Sequence, residues 1–226
     1  MNTIIKLGRS LVIAFKNIGK DPSKRFKKEY VYHLFRLFTH PIDTFNDLKY
    51  EGKSSVTLAN ILIGIWFLET VISTGMTGYL FAGAPQSPVM ALATTAGFAL
   101  LWSICNWSAC TLFDGEGTFK EIWIVTAYSL LPMLIFEPFV IIFSNIASTD
   151  EAVLVSTIHT LGLIWTLILE FLGMMVCHQF TVTKTLLLAI VSIAGIFVIA
   201  FIALIFFSIS QQFVDFISSI WTEIIL

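Results

Sequence analysis

The chain has 226 residues, 57% of them hydrophobic and only 12% charged, with a formal net charge of −2. A water-soluble domain carries about 25% charged residues, so that class is excluded and lipid is the expected solvent. Crossing a hydrocarbon core about 30 Å thick takes roughly 20 consecutive apolar residues in a helix.

From the N-terminus, Ile4, Leu7, Leu11, Phe15 and Ile18 recur at helical spacing while Lys6, Arg9, Lys16 and Lys20 lie off that stripe, which predicts a basic amphipathic helix in the membrane interface. No signal-peptide cleavage pattern accompanies it. Lys20, Lys24, Arg25, Lys27 and Lys28 then form a lipid-facing basic linker. Each cation is worth about 1 kcal/mol of attraction to an anionic inner leaflet, and this anchoring is read in preference to nucleic-acid binding. HPIDTFNDLKY, residues 40–50, predicts a short helix with Pro41 in its first turn and Ile42, Phe45 and Leu48 on one face. Five spans follow: Val56–Phe81, Pro88–Phe113, Ile122–Ile146, Ala152–Cys177 and Thr185–Phe207. Pro132 and Pro138 predict a kinked or locally unwound third span. The tail 209–226, with an apolar stripe of Phe213, Phe216, Ile220 and Ile224, is expected to lie on the outer interface or to extend the fifth span. The fold expected is an all-α integral membrane bundle of five transmembrane helices, residues 56–208, between a cytoplasmic region 1–55 and the amphipathic tail.

All Lys and Arg but Lys120 and Lys184 precede the first span, and those two fall in the turns after spans two and four. Cations near span ends stay cytoplasmic. The orientation expected is therefore N-terminus inside and C-terminus outside. The turn Asp114, Gly115, Glu116, Gly117 and Lys120 is then a solvated cytoplasmic hinge whose glycines permit a tight reversal. Cys105, Cys110 and Cys177 are expected as free thiols.

Ionisable groups within spans are functional candidates by default. Glu69, Asn106, Glu137, His159 and Glu170 stand out. Depth counted at about 1.5 Å per residue sets Glu137 level with His159, and Asn106 level with Glu170, so that either pair can meet. Glu69 falls near the midplane without a partner at its level. In the fourth span His159, Gly162, Thr166, Glu170, Gly173 and Cys177 share a stripe of the small and polar kind that packs on neighbouring helices. No phosphate loop, zinc motif or nucleophile elbow occurs. His178 beside Cys177 reads as a chance neighbour rather than a catalytic dyad. Neither an enzymatic activity nor a cofactor is expected.

CTLFDGEGTFKEIWIVTAYSLLP, residues 110–132, resembles a region of the Yip family of Rab-interacting membrane proteins, particularly its bacterial branch. There a G-x-G-T-F turn, here Gly115, Gly117, Thr118 and Phe119, leads into a span with a Y-S-x-x-P element, here Tyr128, Ser129 and Pro132. HPIDTFNDLKYEGKSSV, residues 40–56, also resembles the approach to the first span in that branch. The resemblance implies five spans with a cytoplasmic N-terminus, a bacterial cytoplasmic membrane as the location, and an accessory role. It does not bring a GTPase partner, since the cytosolic D-L-Y-G-P element of the eukaryotic members is missing here. The function expected is a non-enzymatic scaffold or accessory subunit, with permeases of an ABC-type carbohydrate transporter as the membrane partners in view. The competing expectation is a small proton- or ion-coupled translocator built on the intramembrane carboxylates.

Overall fold

In a computed structural model, residues 28–51, 54–84 and 86–225 are described. The expected amphipathic helix near the N-terminus and Lys20, Lys24, Arg25 and Lys27 lie outside the described residues, and Lys28 begins the first described helix. The chain divides into two compact units, Met1–Ser55 and Val56–Leu226.

In the first unit, α1 (Lys28–Thr39) and α2 (Pro41–Tyr50) meet at His40. Proline cannot donate an amide hydrogen, and its fixed φ suits the first helical position, so Pro41 begins α2 cleanly. Arg36 Nη1 donates to Asp47 Oδ2 at 2.6 Å across the corner. Phe45 and Leu48 are buried together with Thr44, whereas Ile42 is exposed. Three-residue steps drift backwards around a helix, leaving Ile42 about 120° from Leu48.

In the second unit, α3 is Val56–Met76 and α4 runs over Pro88–Leu112, with a π-helical turn at Ala93–Gly97. The third span is two helices, α5 (Phe119–Ser129) and α6 (Leu131–Ser144). A 3₁₀ turn at Thr149–Glu151 leads into α7 (Ala152–His178), and α8 covers Val182–Ile225. Among the described residues five helical segments are long and apolar enough to cross a bilayer, and no strand occurs.

Pro132 decides the break in the third span, because it removes a donor and disfavours helical geometry in the residue before it. The Leu130 amide turns to Tyr128 O, ending α5, and Pro132 sits in the first turn of α6. The broken span is the most buried of the five. It packs against α3, α4 and α7, while α8 packs on α4 and α7. The small residues of α7 lie on its packed side: Gly162 and Gly173 are buried, and a Cβ at Gly162 would stand 2.8 Å from Phe136 Cβ.

One expected boundary is corrected. α3 stops at Met76, not Phe81, because Asn145 Nδ2 donates to Met76 O at 2.7 Å and the Gly78 amide to Ser144 Oγ at 2.9 Å. A Cβ at Gly78 would collide with Ser144 O, so the chain leaves the helix by a route only glycine fits. Of the two alternatives for the tail, extension of the fifth span is the one seen: α8 runs unbroken for 44 residues.

Candidate functional site

The 145–151 turn and residues 77–87 mark one end of the bundle, here the Ser148 end. The 113–118 turn and residues 179–181 mark the other, the Gly115 end. Intramembrane polar groups gather at three levels between them.

At the Ser148 end, His159 Nδ1 lies 3.0 Å from Glu137 Oε2, so the depth arithmetic brought the right two side chains together. Both stay partly accessible, at 44% and 20%, because they border a cavity of about 600 Å³ between α3, α6 and α7. Its other polar lining includes Thr70, Ser73, Thr74, Ser156 and Thr160. Each of these hydroxyls donates to a carbonyl three or four residues back on its own helix, at 2.9, 3.0, 3.0, 3.0 and 2.7 Å respectively. With their protons committed to the backbone, they offer lone pairs to the cavity. Glu137 adds carboxylate oxygens, so the cavity favours a cation or a group rich in donors. Glu69, one residue from Thr70, has a buried Oε2 with no hydrogen-bond partner among the described residues.

Midway along the bundle, Glu170 Oε1 accepts from Trp102 Nε1 at 2.6 Å and Thr126 Oγ1 at 3.1 Å, tying α7 to α4 and α5. It borders a second, largely apolar cavity of about 400 Å³ with Trp66, Phe98, Met174 and Phe197.

At the Gly115 end the expected meeting of Asn106 with Glu170 does not occur. Asn106 Oδ1 instead lies 3.2 Å from His178 Nε2 and accepts a long contact from Cys110 Sγ at 3.7 Å. Both Asn106 and His178 are 1% exposed. The Gly117 amide donates to His178 Nδ1 at 3.3 Å, which makes Nδ1 an acceptor, places the ring proton on Nε2 and lets it point at Asn106. The Phe180 ring stacks on the imidazole with centroids 5.3 Å apart. Lys184 Nζ donates to Phe113 O at 2.6 Å and lies over the Phe180 ring.

The glycine turn is therefore packed against α7 through Gly115 and Gly117, while its charged residues stay solvated. Neither glycine owes its place to a left-handed backbone, which falls on Asp114, φ 59°. A Cβ at Gly115 would stand 2.5 Å from His178 Nδ1, and one at Gly117 2.7 Å from Cys177 Sγ. Close approach of turn to helix is what requires them. Thr118 then caps α5, its amide donating to Glu121 Oε2 at 2.8 Å while its own Oγ1 accepts from the Glu121 amide. Asp114, Glu116 and Lys120 face outward. The sequence reading weighed His178 only against its neighbour Cys177 and so missed its partner; the signal that could have found it was position, at the end of the fourth span and level with Asn106 on the second.

A family model of the Yip1 domain matches residues 35–221. The chain belongs to the Yip1 domain family. No curated protein and no solved structure matches it. The Yip1 domain thus covers both α2 and all five spans, and at family level the chain is a non-enzymatic, multipass membrane protein. The residues that carried the resemblance now have physical duties. Gly115, Gly117 and Thr118 lock the turn to α7, the buried Tyr128 closes α5, and Pro132 opens α6. Among the described residues no group of His, Cys, Asp and Glu could hold a metal ion.

Proposed function

We propose that this Yip1-domain protein is a small proton- or cation-coupled translocator whose working centre is the polar cavity at the Ser148 end. The observation that carries this reading is the acceptor-rich lining that includes Glu137 and His159, with an unpartnered oxygen on Glu69, the residue next to the lining Thr70. A carboxylate without a partner inside a bundle is costly, and such groups mark ion and proton pathways. A proton held between His159 and Glu137 has the Glu69 carboxylate as its next acceptor, and Glu170 lies further along the bundle. The distribution of Lys and Arg supports placing the Gly115 end in the cytoplasm of a bacterial cell and the cavity mouth outside. It also supports setting Lys20, Lys24, Arg25, Lys27 and Lys28 against an anionic inner leaflet.

Purified protein in liposomes containing a pH-sensitive dye tests this. An imposed pH gradient is expected to collapse faster than in empty liposomes, and Glu69→Gln is expected to restore the empty-liposome rate. Rates indistinguishable from empty liposomes, or flux that survives Glu69→Gln, would refute it. The accessory-subunit reading, with ABC-type permeases among the partners, is favoured by the large uncovered apolar surface of α8. Copurification with other subunits in mild detergent, together with no flux, would select it.

A further inference from the structure

At about 1.5 Å per residue the 44 residues of α8 extend roughly 66 Å, about twice a hydrocarbon core. Its first half is part of the bundle: Thr185, Leu188 and Ser192 are buried, and Gly195 faces Cys105. Those four positions alternate steps of three and four. The alternation continues without a slip through Ile199, Ile202, Phe206, Ile209, Phe213, Phe216 and Ile220. These seven side chains are between 40% and 66% exposed. One seam thus runs the length of α8, packed in the bundle along its first half and bare along its second.

We infer that the bare half of the seam is a dimer interface, occupied by the same half of α8 from a second copy of this chain. A straight helix has 3.6 residues per turn and loses a strict seven-residue repeat by about 20° per heptad, so four heptads would carry the seam about 80° round. Keeping that repeat is useful to two helices that supercoil, with the apolar seam positions as knobs. Two copies in the same membrane orientation are related by a twofold axis along the membrane normal, which sets the two α8 helices parallel and each seam residue opposite its own equivalent. Beyond the membrane the positions flanking the seam are Ser210, Gln212, Ile217 and Ser219, so no like charges meet there. Asp215 points away from the seam, and Glu223 falls on it one step after Ile220, where paired carboxylates would end the contact. Three phenylalanines offer on the order of 500 Å² per chain. With the four isoleucines, two chains reach the roughly 1,200–2,000 Å² of a stable interface.

The alternative resting place, flat on the outer leaflet, fits poorly. No Lys or Arg follows Lys184, whereas interfacial helices are rich in them. No Gly or Pro follows Gly195, so nothing in the sequence of α8 provides the sharp bend needed at the interface.

The test uses the full-length protein in liposomes. Phe213→Cys, on the seam, is expected to cross-link to dimers under mild oxidation, while Gln211→Cys, on the opposite side, is expected to stay monomeric. The native thiols are all buried and give little background. A Phe213→Asn, Phe216→Asn double variant, altered outside the bundle, is expected to weaken self-association tenfold or more, about 1.4 kcal/mol, without lowering the melting temperature. Equal cross-linking at both positions, a monomer by mass, or a heterologous subunit in place of the second copy would overturn the proposal. So would quenching of Trp221 by headgroup-depth spin-labelled lipid, which would place the tail on the membrane surface.

Discussion

Replacing Gly117 by alanine probes the joint between the 113–118 turn and α7 with a single methyl group. The added Cβ would stand 2.7 Å from Cys177 Sγ and 2.8 Å from His178 Cε1, both on a buried helix end, so the turn must lift. Overpacking of this kind costs about 1–3 kcal/mol. Lifting the turn also stretches the 3.3 Å bond from the Gly117 amide to His178 Nδ1, and a buried polar group left without its partner costs about 1–3 kcal/mol more. The sum is about 2–6 kcal/mol. At about 2–4 °C per kcal/mol for a chain of this size, the detergent-solubilised protein should melt on the order of 10 °C lower. Two variants sharpen the measurement. Gly64→Ala, in α3 with nothing within 4 Å of its Cβ, should leave the melting temperature unchanged or raise it slightly, since helical glycine costs about 0.5–1 kcal/mol relative to alanine. Cys177→Ala removes the colliding sulfur, so the double variant with Gly117→Ala should recover part of the loss and show coupling in a double-mutant cycle. If Gly117→Ala and Gly64→Ala melt together, or Cys177→Ala gives no coupling, the close-approach account of the turn is refuted.

Glu137→Gln and His159→Ala should each lower the melting temperature modestly, because measured interhelical hydrogen bonds in membranes average about 0.6 kcal/mol and this pair is partly accessible. Their cycle should show coupling, and additive losses would separate the two residues. For orientation, a cysteine at Gly83, exposed at the Ser148 end, should react with an impermeant thiol reagent in intact cells, whereas one at Lys120, exposed at the Gly115 end, should not. The reverse pattern would invert the topology.

Much of the architecture was legible because apolar length and proline placement act locally. Val56, Pro88 and Ala152 were read as helix starts and are, and Pro132 announced the break beside it. The overrun of the first span to Phe81 has a non-local cause: hydropathy continues past Met76, but Asn145 and Ser144 on α6 capture that stretch of backbone. Depth arithmetic found Glu137 with His159, since a short turn keeps their helices in register. It failed for Asn106 because the level was off by about a turn: α7 does face α4, but Glu170 meets Trp102, four residues before Asn106, and Asn106 meets His178, eight residues beyond Glu170. The cavity was illegible for another reason. Thr70, Ser73, Thr74, Ser156 and Thr160 are unremarkable singly, and only the packing of α3 and α7 on a common α6 makes them one lining.

The break at Leu130 leaves the third span as two short rods joined at a knuckle, with α7 running past both as a splint. Thr126, which holds Glu170, rides on the lower rod, and Glu137, which holds His159, rides on the upper one. Seven residues of helix set Glu137 roughly 10 Å above the knuckle. A tilt of about 10° in α6 alone would swing that carboxylate by about 2 Å, enough to part it from His159 while Thr126 keeps its grip on Glu170. The two polar levels of this bundle can thus be worked one at a time.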